Sequence, residues 1–316
     1  MQTRRLGRTD LMIAPMVLGG NVFGWTADKP TSFAVLDRFA GAGLNAIDTA
    51  DVYSSWAPGN QGGESESIIG EWMKARGNRN RTVVITKVGS PMGKGKEGLS
   101  ARYIEEAVEA SLKRLQTDTI DLYFAHWPDM ATPVAETLGA FQRLIEKGKI
   151  RWCGASNLNV PLLEEAIAAA KARGGPRYEV LQPEYNLADR HEFEHGLAQL
   201  CLAEEIGVIT YFSLAKGFLS GKYRKEEDLS KSARGSDVKG YLNPRGFRIL
   251  DALEKVAARR KAKPAEVALA WIIARPGVTA PIASATSVEQ TDSLIRATEL
   301  SLSDADMGAL NEASAA

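Results

Sequence analysis

The chain has 316 residues, with 39 basic and 39 acidic side chains and a formal net charge of zero. Balanced charge without a long block of one sign excludes the concentrated positive patch that nucleic acid or an anionic membrane surface requires. No run of about 18 apolar residues is present to span a bilayer, and none follows the basic start Met-Gln-Thr-Arg-Arg-Leu-Gly-Arg as in a secretory signal, so a cytoplasmic protein acting on small neutral molecules is expected.

Residues 3 to 14 read as a hairpin turning at Gly7-Arg-Thr-Asp10. Short apolar runs that read as buried strands follow near 16–19, 44–48, 82–87, 120–125, 150–155, 179–182, 207–212 and 279–283, with helix-like patterns between them. In the segment 100–115, Ser100 is placed to cap a helix, and Ile104, Ala107, Val108, Ser111 and Leu115 follow one face. Pro133, Pro161 and Pro264 suit the first turn of a helix. A polar stretch runs from Lys222 to about Gly240; a loop of that length is functional or disordered. The Ala- and Ser-rich end, 303–316, is expected to fray, having little to bury. Cys153 falls on a strand and Cys201 on a helix, and both are expected to be buried free thiols.

Strands alternating with helices predict a parallel sheet, but periodicity alone does not choose between an eight-stranded barrel and an open doubly wound sheet. The choice falls on one (β/α)8 barrel domain over residues 1–316. Eight strands are counted, and polar residues recur after strand upon strand, whereas an open sheet gathers its site at one switch point. Asp48, Lys87 and His126 stand just past such runs, with Tyr53 close behind the first. A phenol has an ordinary pKa of about 10, and an ammonium beside it favours its anion and eases proton donation. Lys87 supplies that charge, Asp48 is its partner, and His126 can donate a hydrogen bond to a substrate oxygen. Each residue alone reads as a turn former, solvated loop residue or packed aromatic; the combination reads as a carbonyl-reducing site that needs no metal.

Six stretches then carry a resemblance: Asn45-Ala-Ile-Asp-Thr-Ala-Asp-Val-Tyr53, Ile85-Thr-Lys-Val-Gly89, Asp121-Leu-Tyr-Phe-Ala-His-Trp-Pro-Asp129, Gly154-Ala-Ser-Asn157, Leu181-Gln-Pro-Glu-Tyr-Asn186 and Ser213-Leu-Ala-Lys-Gly217. In this order the chain resembles the aldo-keto reductases, bacterial-type and similar to potassium-channel β-subunit-like members, from roughly Arg5 to Arg296. The resemblance implies a (β/α)8 TIM barrel whose bottom the N-terminal hairpin closes. It also implies an NAD(P)H-dependent oxidoreductase that transfers hydride from nicotinamide C4 to an aldehyde or ketone, or the reverse. Tyr53 would be the general acid, tuned by Lys87 and Asp48, with His126 orienting the carbonyl.

By the same resemblance Ser156, Asn157 and Gln182 would hold the nicotinamide carboxamide and Tyr211 would stack on its ring. Ser213, Leu214, Gly217 and Gly221 would meet the pyrophosphate; Lys222, Arg224 and Arg234 read equally as phosphate partners or as the cations of a solvated loop. Ser284, Thr286 and Gln290 would stand at the adenosine end. Thr286 replaces the arginine with which many NADPH-using members meet the 2′-phosphate, and Leu294 replaces an asparagine that meets adenine. NADPH is favoured and NADH remains open, because a threonine supplies no charge. Trp25 and Trp127 are expected to line the pocket for a small carbonyl or alcohol, a sugar included, and Trp56 to pack its loop.

Two patterns are read as decoys. Gly93-Lys-Gly-Lys-Glu-Gly98 mimics a dinucleotide fingerprint, but Gly89-Ser-Pro-Met separates it from the strand. His191-Glu-Phe-Glu-His195 mimics a zinc helix at a polar helix start, so a solvated face is expected and a barrel metallohydrolase is the weakest reading. A cofactor-binding regulatory module resembling a potassium-channel β subunit is the alternative function.

Overall fold

The computed structural model describes residues 2–315. Strands β1 (Arg4–Arg5) and β2 (Met12–Ile13) pair antiparallel as the expected hairpin. Eight parallel strands follow: β3 (Val17–Gly19), β4 (Ala46–Asp48), β5 (Val83–Val88), β6 (Ile120–Ala125), β7 (Ile150–Ser156), β8 (Val180–Gln182), β9 (Gly207–Thr210) and β10 (Ala280–Ala283). They close into a barrel in chain order, with β10 pairing both β9 and β3. This is the (β/α)8 TIM barrel with an added hairpin sheet that the sequence predicts.

The helices are α1 (Lys29–Gly41), α2 (Glu64–Arg76), α3 (Ala101–Leu115), α4 (Val134–Glu146), α5 (Val160–Arg173), α6 (Ala198–Ala203), α7 (Pro244–Arg260), α8 (Pro264–Ile273), α9 (Val288–Glu299) and α10 (Asp304–Ser314). Local chemistry sets their ends. The Ser100 hydroxyl accepts from the Tyr103 amide to start α3, and Asn159 accepts from the Leu162 amide to start α5 with Pro161 in its first turn. Pro264 opens α8, whereas Pro133 sits one step earlier than expected, as the N-cap of α4.

The barrel interior is packed by inward residues including Val17, Ala46, Ile85, Leu122, Phe124, Val180, Ile209 and Ile282. Leu6, Leu11 and Ile13 of the hairpin join the same cluster and plug the N-terminal ends of the strands. That plug needs a glycine: at Gly7, φ +60°, a Cβ would lie 2.6 Å from both the Glu179 carbonyl and the Gly207 nitrogen. With one end sealed, the C-terminal ends of the strands are left to form the site.

One expectation is corrected. The segment 303–316 does not fray through its described part: Ser303 and Asp306 form a reciprocal capping box, and α10 packs on α7. Buried Leu310 and Ala313 supply the apolar contact that the small-residue composition concealed, and Arg259 and Arg260 clamp Asp306. Of the two alternatives for the stretch 222–240, functional or disordered, the structure shows order, with short 3-10 turns at Glu226–Lys231 and Gly235–Tyr241 anchored by buried Tyr223 and Val238. Both cysteines are free and buried. No helix among the described residues is long and apolar enough to cross a membrane.

Leu310→Ala is expected to cost about 3 kcal/mol, as a large-to-small change in a packed core does, read as a fall in the urea midpoint at unchanged slope. A frayed tail would leave the midpoint where it was.

Candidate active site

The sequence places its four candidate residues on one rim. Asp48 ends β4, Lys87 is the penultimate residue of β5, and His126 follows β6 at once. Tyr53 lies on the turn after β4, where Ser54 adopts φ +72° and its hydroxyl donates to the Phe23 carbonyl at 2.7 Å. A non-glycine residue in the left-handed region is strained and is held here by that bond. The turn folds Tyr53 back over Asp48.

Lys87 is the hub. Its fully buried ammonium donates to Asp48 Oδ2 at 2.7 Å, to the Thr49 carbonyl at 2.8 Å and to the Tyr53 hydroxyl at 2.8 Å, so all three N–H groups are used. The Tyr53 hydroxyl reaches Asp48 Oδ2 at 3.3 Å, and the far oxygen of Asp48 accepts from Gln182 Nε2 at 2.9 Å. Burial pushes the Lys87 ammonium down from its ordinary range, with Asp48 opposing. Burial and the Asp48 charge push the Tyr53 phenol well up. In the resting site the phenol keeps its proton, held there by loss of solvent and the Asp48 charge. Thr49, whose carbonyl completes the shell, was missed because a backbone oxygen leaves no signal in the sequence.

His126 packs edge-on to Tyr53, ring centres 6.0 Å apart, and stacks on Trp127 at 5.9 Å. Burial, aided by the Lys87 charge, drives its pKa well below the usual imidazole value, so the ring is neutral. Ser90 Oγ lies 3.0 Å from Nδ1. Ser90, two residues past β5, also went unnoticed, since a lone serine after a glycine reads as loop.

The residues assigned to the nicotinamide form one hydrogen-bonded set beside the hub. Asn157, at φ +61°, donates to the His126 carbonyl at 2.9 Å and to Ser156 Oγ at 3.1 Å, and accepts from the Tyr211 hydroxyl at 2.7 Å. Ser156 Oγ donates to the Gln182 carbonyl at 2.7 Å. Asn157 is not the cap of α5, a role Asn159 fills.

Around the mouth, Trp25 meets Trp56 edge-on at 5.8 Å and Trp56 lies 6.0 Å from the Tyr53 ring. Trp56 thus packs its loop against Trp25 and Tyr53, as expected, and Trp127 stacks beside His126. After β9 the chain holds Phe212, Ala215, Lys216 and Gly217 at positive φ, on either side of Ser213 and Leu214. Lys216 and Arg234 approach the Phe212 ring to 5.2 and 5.1 Å, bringing two cations to one edge of the mouth. A strained backbone loop flanked by cations suits a dinucleotide's pyrophosphate. Lys222 instead lies over Tyr223, and Arg224 is paired with Asp251 and Glu254. Thr286 donates from both N and Oγ1 to Gln290 Oε1, and the Ser284 hydroxyl donates to Asn21 Oδ1. Leu294 is buried, turned into the core.

The decoys are resolved by placement. Gly93–Gly98 is an exposed loop without a following phosphate-binding turn. His191 and His195 stack at 4.1 Å on a partly exposed segment, and no cluster of metal-ligating groups exists among the described residues.

A closed parallel barrel thus carries, at its C-terminal mouth, a buried lysine that ties an acid to a phenol. Residues 15–315 match the family described as Aldo/keto reductase family, and the chain belongs to it. Its relatives include the "uncharacterized oxidoreductase YrpG" of Bacillus subtilis, 35% identical over 99% of this chain and 95% of that protein. Another is the aldo-keto reductase YhdN of the same organism, at 33% over 93% and 86%. A probable voltage-gated potassium channel subunit beta of Arabidopsis thaliana is 32% identical over 95% and 92%. Members of the family act on small carbonyl substrates with NADPH or NADH.

His126 is expected to stay neutral through the physiological range: its ring carbon protons, followed by NMR, should not titrate between about pH 6 and 8. A midpoint near the ordinary imidazole value would contradict the burial argument.

Proposed function

We propose that this oxidoreductase reduces aldehydes or ketones to alcohols, or runs the reverse alcohol dehydrogenase reaction, with Tyr53 as general acid and base. The observation that carries the reading is the single ammonium within 2.8 Å of both the Tyr53 hydroxyl and the Asp48 carboxylate. A bound nicotinamide supplies or accepts the hydride. The chain's own part is to place the carbonyl oxygen against Tyr53 and His126 and to move one proton.

Tyr53 donates its hydroxyl proton to the carbonyl oxygen. The phenolate left behind lies against the Lys87 ammonium, a cation already oriented by Asp48 and the Thr49 carbonyl, so stabilisation needs no rearrangement. A Ser90 hydroxyl donating to Nδ1 of neutral His126 selects the tautomer whose Nε2–H faces the mouth and donates to the same carbonyl oxygen. Asn157, Ser156, Gln182 and Tyr211 would fix the nicotinamide, and Ser213, Leu214, Gly217 and Gly221 with Lys216 and Arg234 the pyrophosphate. Ser284, Thr286 and Gln290 would take the adenosine end. NADPH is the preferred cofactor in this reading, with the Ser284 and Thr286 hydroxyls standing where many NADPH-using members carry an arginine, and NADH stays open because neither hydroxyl supplies charge. Trp25, Trp56 and Trp127 suit a substrate with an aromatic or apolar face, a sugar among them. The two buried free thiols fit a reducing cytoplasm.

The likeness to channel β subunits supports a second reading, a cofactor-binding regulatory module. Turnover separates the two. Loss of absorbance at about 340 nm from NADPH or NADH with aromatic aldehydes, dicarbonyls and sugar aldehydes supports the reductase; cofactor binding without turnover supports the module.

Tyr53→Phe is expected to keep cofactor binding and lower the reduction rate at least about 100-fold, since only the transferable proton is lost; a normal rate would remove Tyr53 from the role of acid. Thr286→Arg is expected to tighten NADPH relative to NADH by roughly tenfold, and equal Kd values before and after the change would place the 2′-phosphate elsewhere.

A further inference from the structure

Asp51 has no place in the scheme above, yet it lies on the same turn, between Asp48 and Tyr53. Its amide donates to the Lys87 carbonyl at 3.3 Å, joining the turn directly to the strand that carries the hub lysine. Its side chain is 2% exposed, and both carboxyl oxygens are buried without a hydrogen-bond partner among the described residues. The Tyr123 hydroxyl on β6 is buried and unpartnered in the same sense.

The two cations whose charge reaches it, Lys87 and Arg114, are each paired with another carboxylate. The three Lys87 donors go to Asp48, Thr49 and Tyr53. Arg114 of α3 is paired with Glu66 of α2 at 2.6 Å and also donates to Ser111, while the other Glu66 oxygen accepts from Thr86. A buried carboxylate without a counter-ion or donor is strongly disfavoured, and such a group takes up a proton instead. Burial first, then the Glu66 charge, raises the Asp51 pKa to about 8, with the Arg114 charge, the adjacent Val52 amide and the Lys87 charge opposing. The groups that sense it are distributed around it. Tyr103 of α3 and Tyr123 of β6 are both pushed up in part by the Asp51 charge, and Lys87 of β5 is partly held up by it.

We propose that Asp51 is a positioning residue of the active site, a buried carboxylic acid whose ionisation places an uncompensated negative charge behind Lys87 and slows proton donation by Tyr53. Neutral Asp51 leaves the ammonium's field directed at the phenol. Ionised Asp51 offsets that field and opposes the phenolate that forms as the proton leaves. The sign follows: with a folded-state pKa above the unfolded one, the neutral form prevails in the folded protein below about pH 8, and the reductive rate declines as pH rises through that point. Folding stability also falls as pH rises from the unfolded carboxyl value, about 3.9, to the folded one.

This inference rests on the Tyr53 reading, so its test includes measurements that do not need turnover. The whole enzyme, labelled with 13C at aspartate carboxyls and at tyrosine Cζ, is titrated from pH 5 to 10. The Asp51 signal is assigned by its loss in Asp51→Asn and the Tyr53 signal by its loss in Tyr53→Phe. Expected are an Asp51 midpoint far above the ordinary carboxylate range and a Tyr53 Cζ shift that follows the same midpoint and vanishes in Asp51→Asn. In the reductase assay, the wild-type rate should fall roughly tenfold from pH 7 to 9, and that ratio should drop below about twofold in Asp51→Asn. Unchanged thermal midpoints at pH 6 would show that the variant folds. An Asp51 signal ionised at neutral pH overturns the proposal, as does a Tyr53 signal or a pH profile indifferent to Asp51→Asn. If wild type turns nothing over, the reductase reading fails on its own, and the two NMR midpoints still decide whether Asp51 is coupled to Tyr53.

Discussion

A fully buried ammonium must have its three protons taken, and in this protein that requirement organises the rim of the barrel. Lys87 finds its acceptors on one short stretch: the Asp48 carboxylate, the Thr49 carbonyl and the Tyr53 hydroxyl. Removing any acceptor would leave a buried donor unsatisfied at a cost of about 1–3 kcal/mol. The turn 49–53 is thereby fixed against β5, and the strained Ser54 is a consequence of closing it. Gln182, reaching across the barrel to Asp48, extends the same restraint to the opposite wall.

The rest of the fold supplies the conditions under which such a hub is worthwhile. The hairpin seals one end, the interior layers of Val, Ile, Leu and Phe exclude water, and the low dielectric that results strengthens every contact of Lys87. The same dryness has two further effects. It neutralises His126, and it keeps the Tyr53 proton in place. An ammonium beside a protonated phenol is poised to stabilise the anion only when a proton leaves, which is where stabilisation accelerates a reaction.

Much of this was legible in the sequence, for reasons that differ by element. The eight strands could be read because strands buried on both faces are short apolar runs, and each bound fell within a few residues of its observed place. Asp48, Tyr53, Lys87 and His126 stood out because polar residues at the ends of such runs have no packing role. What stayed hidden depended on tertiary geometry. The Thr49 carbonyl has no side-chain signature; Ser90 meets His126 only once the loops converge; Asp51 reads as one more acid in a turn until both of its carboxyl oxygens are seen to be buried without a partner. Helix α10 was missed because alanine and serine suggest a solvated end, while its stability comes from Leu310 and from the paired arginines of α7.

The measurement that tests the central claim most directly is a double-mutant cycle on the hub. Asp48→Asn, Lys87→Met and the double variant would be unfolded in urea. Either single change leaves a buried charge uncompensated and should cost about 3–5 kcal/mol. The double variant removes both charges, so it should be destabilised by at least about 2 kcal/mol less than the sum of the two. Strictly additive losses would show that Asp48 and Lys87 are not coupled, and the account of a lysine-centred site would fail.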